Sequence, residues 1–212
     1  MRNGYFITLE GGEGAGKSTL QAGLAARLRK AGFRVVLTRE PGGTPLGKKL
    51  RKALLHGGHV SPAAELLLYA ADRAQHVDSV ISPALDKGYV VLCDRFSDST
   101  VAYQGYGRKL DLAAIERLNQ MAQQGVEPDL TLWLDLPAEA GLARTRRRSK
   151  KGDRLEAEAR VFHERVRKGF RAQARRFPHR IVRIDAAGSA AGVADKAWRL
   201  FTDRVHTVPH GV

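Results

Sequence analysis

The segment that most constrains the fold of this chain is a glycine-rich loop near its N-terminus. Residues 11–18 read Gly-Gly-Glu-Gly-Ala-Gly-Lys-Ser, which fits the pattern G-x-x-x-x-G-K-[ST]. An alternating, β-rich stretch (residues 5–10) precedes the loop, and Leu20, Leu24 and Leu28 follow it at the four-residue spacing of one helix face. This strand–loop–helix order is typical of loops that bind the phosphates of a nucleoside triphosphate. The alternative is a glycine-rich turn that exposes a lysine.

The residue types in the loop suit phosphate binding. Glycines let the backbone turn closely around phosphate oxygens with its N–H groups pointing inward, and the helix start adds a favourable dipole. Lys17 supplies a mobile positive charge for the β- and γ-phosphates, and the Ser18 hydroxyl can ligate Mg²⁺. We therefore expect a nucleotide site built from Gly11, Gly12, Glu13, Gly14, Ala15, Gly16, Lys17, Ser18 and Thr19.

Strand-like and helix-like segments alternate along the whole chain. This predicts an α/β P-loop NTPase fold, in which helices flank both faces of a five-stranded, mainly parallel sheet, as one domain spanning residues 1–212. The expected strands are Tyr5–Glu10, Phe33–Thr38, Tyr89–Cys93, Leu130–Leu136 and Arg180–Asp185. The expected helices are Lys17–Ala31, Thr44–Leu55, Pro62–Leu85 with a kink or interruption at Pro83, Leu112–Gln124, Ala138–Arg148, Leu155–Phe177 and Ala191–Val205.

Composition narrows the classes of protein that the chain can belong to. A single cysteine, Cys93, excludes a disulfide framework and a cysteine metal cluster, and we expect a cytoplasmic protein without signal peptide or membrane span. The net charge of +14 fits either a nucleic-acid-binding surface or a pocket for polyanionic small molecules. No nucleic-acid-binding motif accompanies the charge, so we expect no specific nucleic-acid partner and no membrane partner.

A second group of candidate residues follows the third expected strand. Asp94 and Arg95 stand at its carboxyl end, where open α/β sheets bind their ligands. The carboxylate can hold Mg²⁺ or its waters, and the planar guanidinium can bind two phosphate oxygens at once. A solvent-facing salt bridge at the strand end explains the same two residues equally well.

The sequence after Asp94 resembles the signature of the thymidylate kinase family. Residues 94–104 read Asp-Arg-Phe-Ser-Asp-Ser-Thr-Val-Ala-Tyr-Gln, and the family's other landmarks occur in order. They are Leu9-Glu10-Gly11 with Glu13, Arg39-Glu40-Pro41-Gly42-Gly43-Thr44, Tyr69-Ala70-Ala71-Asp72-Arg73 and Gly152-Asp153-Arg154-Leu155-Glu156. The resemblance covers nearly the whole chain, from Phe6 to about Asp185. It implies a homodimeric enzyme that uses ATP and Mg²⁺ to phosphorylate dTMP.

The resemblance also implies roles for the matched residues. Lys17 would act on the ATP phosphates, Ser18 and Asp94 on the metal, and Arg95 on the 5′-phosphate of dTMP. Tyr69 would stack on thymine while Arg73 donates to a base carbonyl, and Tyr69 replaces the phenylalanine common at that position. The remaining expected substrate residues are Glu13 near the 3′-hydroxyl, Gln104 near the base, Tyr103 near the 2′ position, and Arg39, Pro41, Ser99 and Thr100 in the acceptor pocket.

A basic stretch around residues 144–155 is the expected lid. Some family members carry an arginine inside the phosphate loop at the position of Gly14, so here the compensating charge would come from Arg146, Arg148 or Arg154. We expect a catalytic arginine there, with Arg148 and Arg154 as candidates; the alternative is a solvated basic loop. Two other functions stay open: a kinase for another nucleoside monophosphate, and a basic nucleic-acid-binding NTPase.

Overall fold

Five parallel strands form the centre of the part of the chain that the structure describes. The computed structural model describes residues 3–148 and 153–205. In that part the strands β1 (Tyr5–Glu10), β2 (Val35–Arg39), β3 (Val90–Asp94), β4 (Leu130–Asp135) and β5 (Ile181–Asp185) lie in the order β2-β3-β1-β4-β5. Every neighbouring pair runs parallel. The expected five-stranded α/β fold is therefore confirmed.

Helices cover both faces of this sheet, because side chains alternate along each strand. Ile7 and Leu9 face one core, built with α1 and α9, whereas Phe6 faces the other, built with the segment around Val77 and Ile81. The helices are α1 (Lys17–Lys30), α2 (Pro45–His56), α3 (Pro62–His76), α4 (Ser82–Asp86), α5 (Ser97–Thr100), α6 (Leu112–Gln123), α7 (Ala138–Arg148), α8 (Arg160–Arg176) and α9 (Ala190–Val205).

The sheet register brings the candidate residues to one edge. Leu9 of β1 and Arg39 of β2 both lie opposite Asp94 of β3. Because parallel strands end at the same edge, the phosphate loop after β1 begins beside Asp94. The strand ends and the loop together form the floor of the candidate site.

The helix that follows β3 was not predicted from the sequence. α5 continues without a break into a wider, π-helical stretch, Val101–Gly107. Its first residues are Ser-Asp-Ser-Thr, which have low helix propensity, and it lacks an amphipathic pattern because residues 97–105 are all buried. Packing stabilises it instead: a side-chain carbon on Gly169 of α8 would lie 2.8 Å from the Ala102 Cα, so the two helices approach closely.

Two predicted helices differ from the structure by more than one residue at an end. The expected Pro62–Leu85 helix is interrupted by a π-helical turn, Val77–Ile81, just before Pro83. Proline has no backbone N–H, so the carbonyl four residues before it lacks its α-helical partner. The expected helix from Leu155 begins only at Arg160, since residues 154–157 form turns over the candidate site. The lid residues 149–152 lie outside the described residues.

Candidate active site

The phosphate loop lies between β1 and α1. The backbone of Gly16, at the start of α1, has a φ of 95°, in the left-handed region that favours glycine. Lys17 is largely buried, and its Nζ donates to the carbonyl oxygens of Gly11 at 3.1 Å and Gly12 at 3.0 Å. Its ammonium group is therefore held over the loop, where phosphates bind in loops of this type.

Ser18 and Asp94 lie together at the end of the loop. The Ser18 hydroxyl donates to Asp94 Oδ2 at 3.3 Å, while the buried Asp94 Oδ1 has no hydrogen-bond partner in the described structure. Hydroxyl and carboxylate oxygens are the ligands that Mg²⁺ prefers, and Mg²⁺ is commonly held by one or two protein ligands, phosphates and water. This pair fits the expected metal position.

Arg95 is turned back under the phosphate loop by an unusual backbone. Its φ of 73° is uncommon for a residue with a side chain, and such strain is concentrated at functional sites. The guanidinium donates to the Gly11 carbonyl at 3.1 Å, the Ser99 hydroxyl at 3.3 Å and Glu13 Oε1 at 2.5 Å. It also lies 4.8 Å from the centre of the Tyr103 ring. Arg95 thus connects the loop to the helix that follows β3.

Glu13 is the partner that Arg95 and Tyr103 share. The Tyr103 hydroxyl donates to Glu13 Oε1 at 2.7 Å. Burial alone would raise the pKa of Glu13, but the charges of Arg95 and Lys17 and the hydrogen bond from Tyr103 outweigh it and lower the pKa to about 2. Glu13 is therefore a carboxylate at neutral pH and can accept a hydrogen bond from a sugar hydroxyl.

Glu10 is hydrogen-bonded to the turn that carries Arg95, a role that the sequence did not predict. It is fully buried and accepts hydrogen bonds from the Phe96 amide at 2.7 Å and the Ser99 hydroxyl at 2.5 Å. Burial, and after it the charge of Asp98, raises the Glu10 pKa to about 8. These two hydrogen bonds fix the turn that carries Arg95.

A cavity of about 530 Å³ opens beside Arg95. Nine of the ten expected substrate residues line it: Glu13, Pro41, Tyr69, Arg73, Arg95, Ser99, Thr100, Tyr103 and Gln104. Six further described residues that were not among the predicted site residues also line it: Glu40, Arg51, Leu55, Phe96, Asp153 and Leu155. Arg39, the tenth expected substrate residue, lines a neighbouring cavity instead. We call the first space the acceptor cavity.

Arg73 is a rigid part of the acceptor-cavity wall. It is 1% exposed, and its guanidinium donates to Glu40 Oε2 at 2.9 Å, Asn119 Oδ1 at 2.7 Å and Thr100 Oγ1 at 2.9 Å. These bonds use three of its five N–H groups, one on each nitrogen. One unused N–H therefore remains on each terminal nitrogen, and the three hydrogen bonds fix the plane of the guanidinium.

The neighbouring cavity, of about 850 Å³, contains the phosphate loop and is here called the phosphate cavity. Among the described residues, the lining includes four cations and five carboxylates: Lys17, Arg39, Arg51 and Arg95, and Glu13, Glu40, Asp94, Asp153 and Glu156. Burial, and after it the positive charge of Arg39, lowers the pKa of Arg51, whose Nη1 donates to the Pro41 carbonyl at 3.0 Å. The four cations suit phosphates. Arg51 lies in no recognisable motif, so its place here could not be predicted from local sequence.

A third cavity, of about 920 Å³, lies on the other side of the loop. Thr19, Ala186 and Gly188 line it, together with Arg144, which donates to the Ala186 carbonyl at 3.2 Å. The turn after β5 therefore lies beside the phosphate loop, where the base of a bound nucleotide has room.

The predicted lid arginines occupy different places. Arg146 is exposed on α7; Arg148 ends that helix, and its side chain lies outside the described part of the chain. Arg154 lies on the acceptor side: its Nε donates to the Leu54 carbonyl at 2.9 Å, and its Nη2 donates to Glu65. In this structure Arg154 is thus held away from the phosphate loop.

Comparison with known proteins gives one consistent result. The family model described as thymidylate kinase matches residues 9–197. A thymidylate kinase of Synechococcus sp. (strain JA-2-3B'a(2-13)) is 61% identical over 200 residues, covering 94% of this chain and 95% of that protein. One of Syntrophotalea carbinolica is 48% identical over 215 residues, covering 98% and 99%.

A solved structure agrees with these relatives. Thymidylate kinase from Ehrlichia chaffeensis matches with a TM-score of 0.80 and 33% identity, covering 94% of this chain and 99% of that one. Family model, relatives and structure agree with the motifs at residues 94–104 and with the P-loop NTPase fold described above. The chain belongs to the thymidylate kinase family.

Proposed function

We propose that this chain transfers the γ-phosphoryl group of ATP to dTMP, giving ADP and dTDP. The observation that carries the proposal is that the phosphate cavity and the acceptor cavity adjoin. Glu13, Glu40, Arg51, Arg95 and Asp153 line both. A donor phosphate on the loop and an acceptor phosphate beside Arg95 would therefore lie in one continuous space that Arg51 and Arg95 line, as in-line transfer requires.

On the donor side, the loop amides and Lys17 would hold the ATP phosphates, and the cavity beside Ala186 would hold adenine. Ser18 and Asp94 would hold Mg²⁺, which when bound neutralises charge on the β- and γ-phosphates. Phosphoryl transfer needs little covalent help from protein, so positioning and charge stabilisation are the main contributions of these side chains.

On the acceptor side, Arg95 would bind the 5′-phosphate of dTMP. Glu13 would accept from the 3′-hydroxyl, and Tyr103, fixed by its bond to Glu13, would crowd the 2′ position and so favour deoxyribose. Tyr69 would stack on thymine, while Arg73 would donate one of its unused N–H groups to a base carbonyl. Arg39, Pro41, Ser99, Thr100 and Gln104 would complete the acceptor site.

The lid is the proposed source of additional positive charge for the transition state. Arg146 and Arg148 are the better candidates, because they lie on α7, which follows β4 beside the loop. Arg154 remains a candidate only if it leaves Glu65 during turnover. A forked donor of this kind stabilises charge that spreads over several oxygens.

We also propose a homodimer in the cytoplasm. Helices α3 and α6 pack together, and they carry the exposed side chains Leu67 and Met121, with exposed fractions of 56% and 70%. Apolar side chains on adjacent helices fit a subunit interface. Among described residues, no helix is long and apolar enough to cross a membrane. Light scattering after size-exclusion chromatography tests the dimer.

A panel of acceptors tests the proposed activity. ADP release should be fastest with dTMP, slower with dUMP and very slow with dCMP, because a missing methyl costs about 1–3 kcal/mol and an inverted hydrogen-bonding edge costs more. Equal kcat/KM for dCMP or UMP would overturn the assignment of dTMP. Binding to random DNA duplex should be no tighter than micromolar at physiological salt. Nanomolar duplex affinity with stimulated ATPase activity would instead support a nucleic-acid-binding NTPase.

A further inference from the structure

Glu65, on the first turn of α3, is a buried carboxylate outside both cavities' linings. Its side chain is 0% exposed and, among the described residues, accepts hydrogen bonds from three. Gln104 Nε2 donates to Oε1 at 2.7 Å, and Arg108 donates to Oε1 and Oε2 at 3.2 Å each. Arg154 Nη2 donates to Oε2.

The ionised state of Glu65 determines which way Gln104 points. Burial alone would raise the Glu65 pKa, but the hydrogen bonds from Arg108, Gln104 and Arg154 outweigh it, so the pKa lies below its ordinary value. An ionised carboxylate only accepts hydrogen bonds, so the amide nitrogen of Gln104, and not its oxygen, must face Glu65. The assignment of the Gln104 amide therefore rests on chemistry.

The opposite end of the Gln104 amide is its carbonyl oxygen. Gln104 lines the acceptor cavity, and its Oε1 accepts no hydrogen bond from any described residue. The backbone of Gln104 is held in turn, because its carbonyl accepts from the Leu110 amide at 3.1 Å. With one Nε2 N–H donated to Glu65, the oxygen is the end of the amide that faces away from Glu65, so the amide offers the cavity an acceptor.

We propose that Glu65 is a specificity-determining positioning residue, which selects thymine by holding the Gln104 amide with its oxygen toward the base. The inference rests on the proposed dTMP acceptor. Thymine carries an N–H at position 3, which needs an acceptor, whereas cytosine has a bare nitrogen there, which needs a donor. A fixed acceptor at Gln104 therefore matches thymine and leaves cytosine with two facing lone pairs. Glu65 itself touches neither substrate.

Glu65 also holds the segment that covers the acceptor cavity, and the test must separate these roles. Asp153 and Leu155 line the cavity, and Arg154 between them is bound to Glu65. Arg108 links Glu65 to Glu158 of the same segment through a 2.5 Å ion pair. Loss of this cover would lower kcat/KM by the same factor for every acceptor. Release of Gln104 would instead change the ratio of kcat/KM between acceptors.

The variant Glu65→Gln isolates the second effect. The oxygen of the substituted amide would keep the Oε2 bonds from Arg108 and Arg154, since these are two of the three arginine bonds. Its NH₂ would then take the Oε1 position, give up the bond from Arg108 Nε, and turn the Gln104 nitrogen toward the base. We expect kcat/KM for dCMP to rise in absolute terms, and the dTMP/dCMP ratio of kcat/KM to fall at least about tenfold. Glu158→Gln is the matched control: it removes the other partner of Arg108 without touching Gln104, and should leave the ratio unchanged.

A double-mutant cycle identifies the route of the effect. In a Gln104→Ala background, Glu65→Gln should change the ratio by less than about twofold, because the amide through which Glu65 acts is gone. A full effect in that background, or an unchanged ratio in folded Glu65→Gln, would overturn the proposal. If Glu65→Gln does not fold, Glu65→Asp serves instead. Glu65→Asp keeps the negative charge for the arginines but moves the carboxylate away from Gln104 by one methylene. An unchanged dTMP/dCMP ratio in this variant would also overturn the proposal.

Failure of this inference is distinguishable from failure of the proposed function. A wild-type protein that does not phosphorylate dTMP refutes the function. A wild-type protein that prefers dTMP, with a Glu65→Gln variant that slows dTMP and dCMP equally, refutes only the role of Glu65 in specificity.

Discussion

Replacement of Gly14 by alanine should destabilise the protein through the contact between the phosphate loop and α7. The backbone of Gly14 has a φ of 67°, and a side-chain carbon there would lie 2.2 Å from the Gly141 carbonyl oxygen and 2.8 Å from its carbon. The obstacle is helix backbone rather than a flexible side chain, so the loop or α7 must move by about 1 Å to reach ordinary contact distance.

The magnitude follows from two separate costs. A left-handed backbone costs a residue with a side chain about 1–2 kcal/mol, and overpacking adds about 1–3 kcal/mol. The free energy of unfolding should therefore fall by about 2–5 kcal/mol. For a chain of this length, that lowers the melting temperature by roughly 4–20 °C.

Two other glycines of the same loop are matched controls. A side-chain carbon on Gly16 meets nothing within 4 Å but has a φ of 95°, so Gly16→Ala should lose only the backbone part, about 1–2 kcal/mol. Gly12 meets nothing within 4 Å and has no left-handed φ, so Gly12→Ala should stay within about 0.5 kcal/mol of wild type. Thermal unfolding followed by circular dichroism without nucleotide gives all three values. If Gly14→Ala melts no lower than Gly16→Ala, the close packing of loop and α7 is refuted.

Three further predictions concern charge. Lys17→Met should nearly abolish kcat with little change in melting temperature, because the lysine acts on the transferring phosphoryl; near-normal turnover would remove the loop from the mechanism. Changing Arg146 and Arg148 together to alanine should lower the single-turnover rate at least about a hundredfold, while the dTMP dissociation constant changes less than about tenfold. An unchanged rate would mean that these two arginines are only solvated surface charges. Glu10 should make stability fall as pH rises from about 5 to 8, since folded Glu10, with its pKa near 8, keeps a proton that the unfolded chain loses near 4.5. Urea unfolding across this range should show a smaller fall in stability for Glu10→Gln than for wild type. Equal falls in the two proteins would contradict the raised pKa of Glu10.

The parts of the fold that sequence predicted are those with strong local patterns. The phosphate loop between β1 and α1, and the buried strand β3 ending at Asp94, follow from glycine spacing and apolar runs. The helix after β3, α5 with the π-helical stretch Val101–Gly107, was not predicted because its stability comes from burial against α8 and not from helix propensity.

The residue pairs of the site depend on the tertiary fold, and this is why sequence could not supply them. Arg154 meets Glu65 across 89 residues, and Arg95 meets Glu13 across 82. The motifs placed Arg154 in a lid near the phosphates, but no local pattern shows that it is held by a buried carboxylate on α3. Arg51 was missed for the same reason, because only the fold brings α2 beside the phosphate loop.

Transfer of a labelled phosphoryl group shows directly whether the chain phosphorylates dTMP. ATP labelled with ³²P at the γ-position is mixed with excess enzyme, Mg²⁺ and dTMP in a single turnover, and the products are separated by chromatography. If the chain is a dTMP kinase, the label should appear in dTDP, the transfer should be lost in Lys17→Met, and label in inorganic phosphate should stay low. Label that appears mainly in inorganic phosphate, or in the diphosphate of another nucleotide in preference to dTDP when both acceptors compete, would contradict this function.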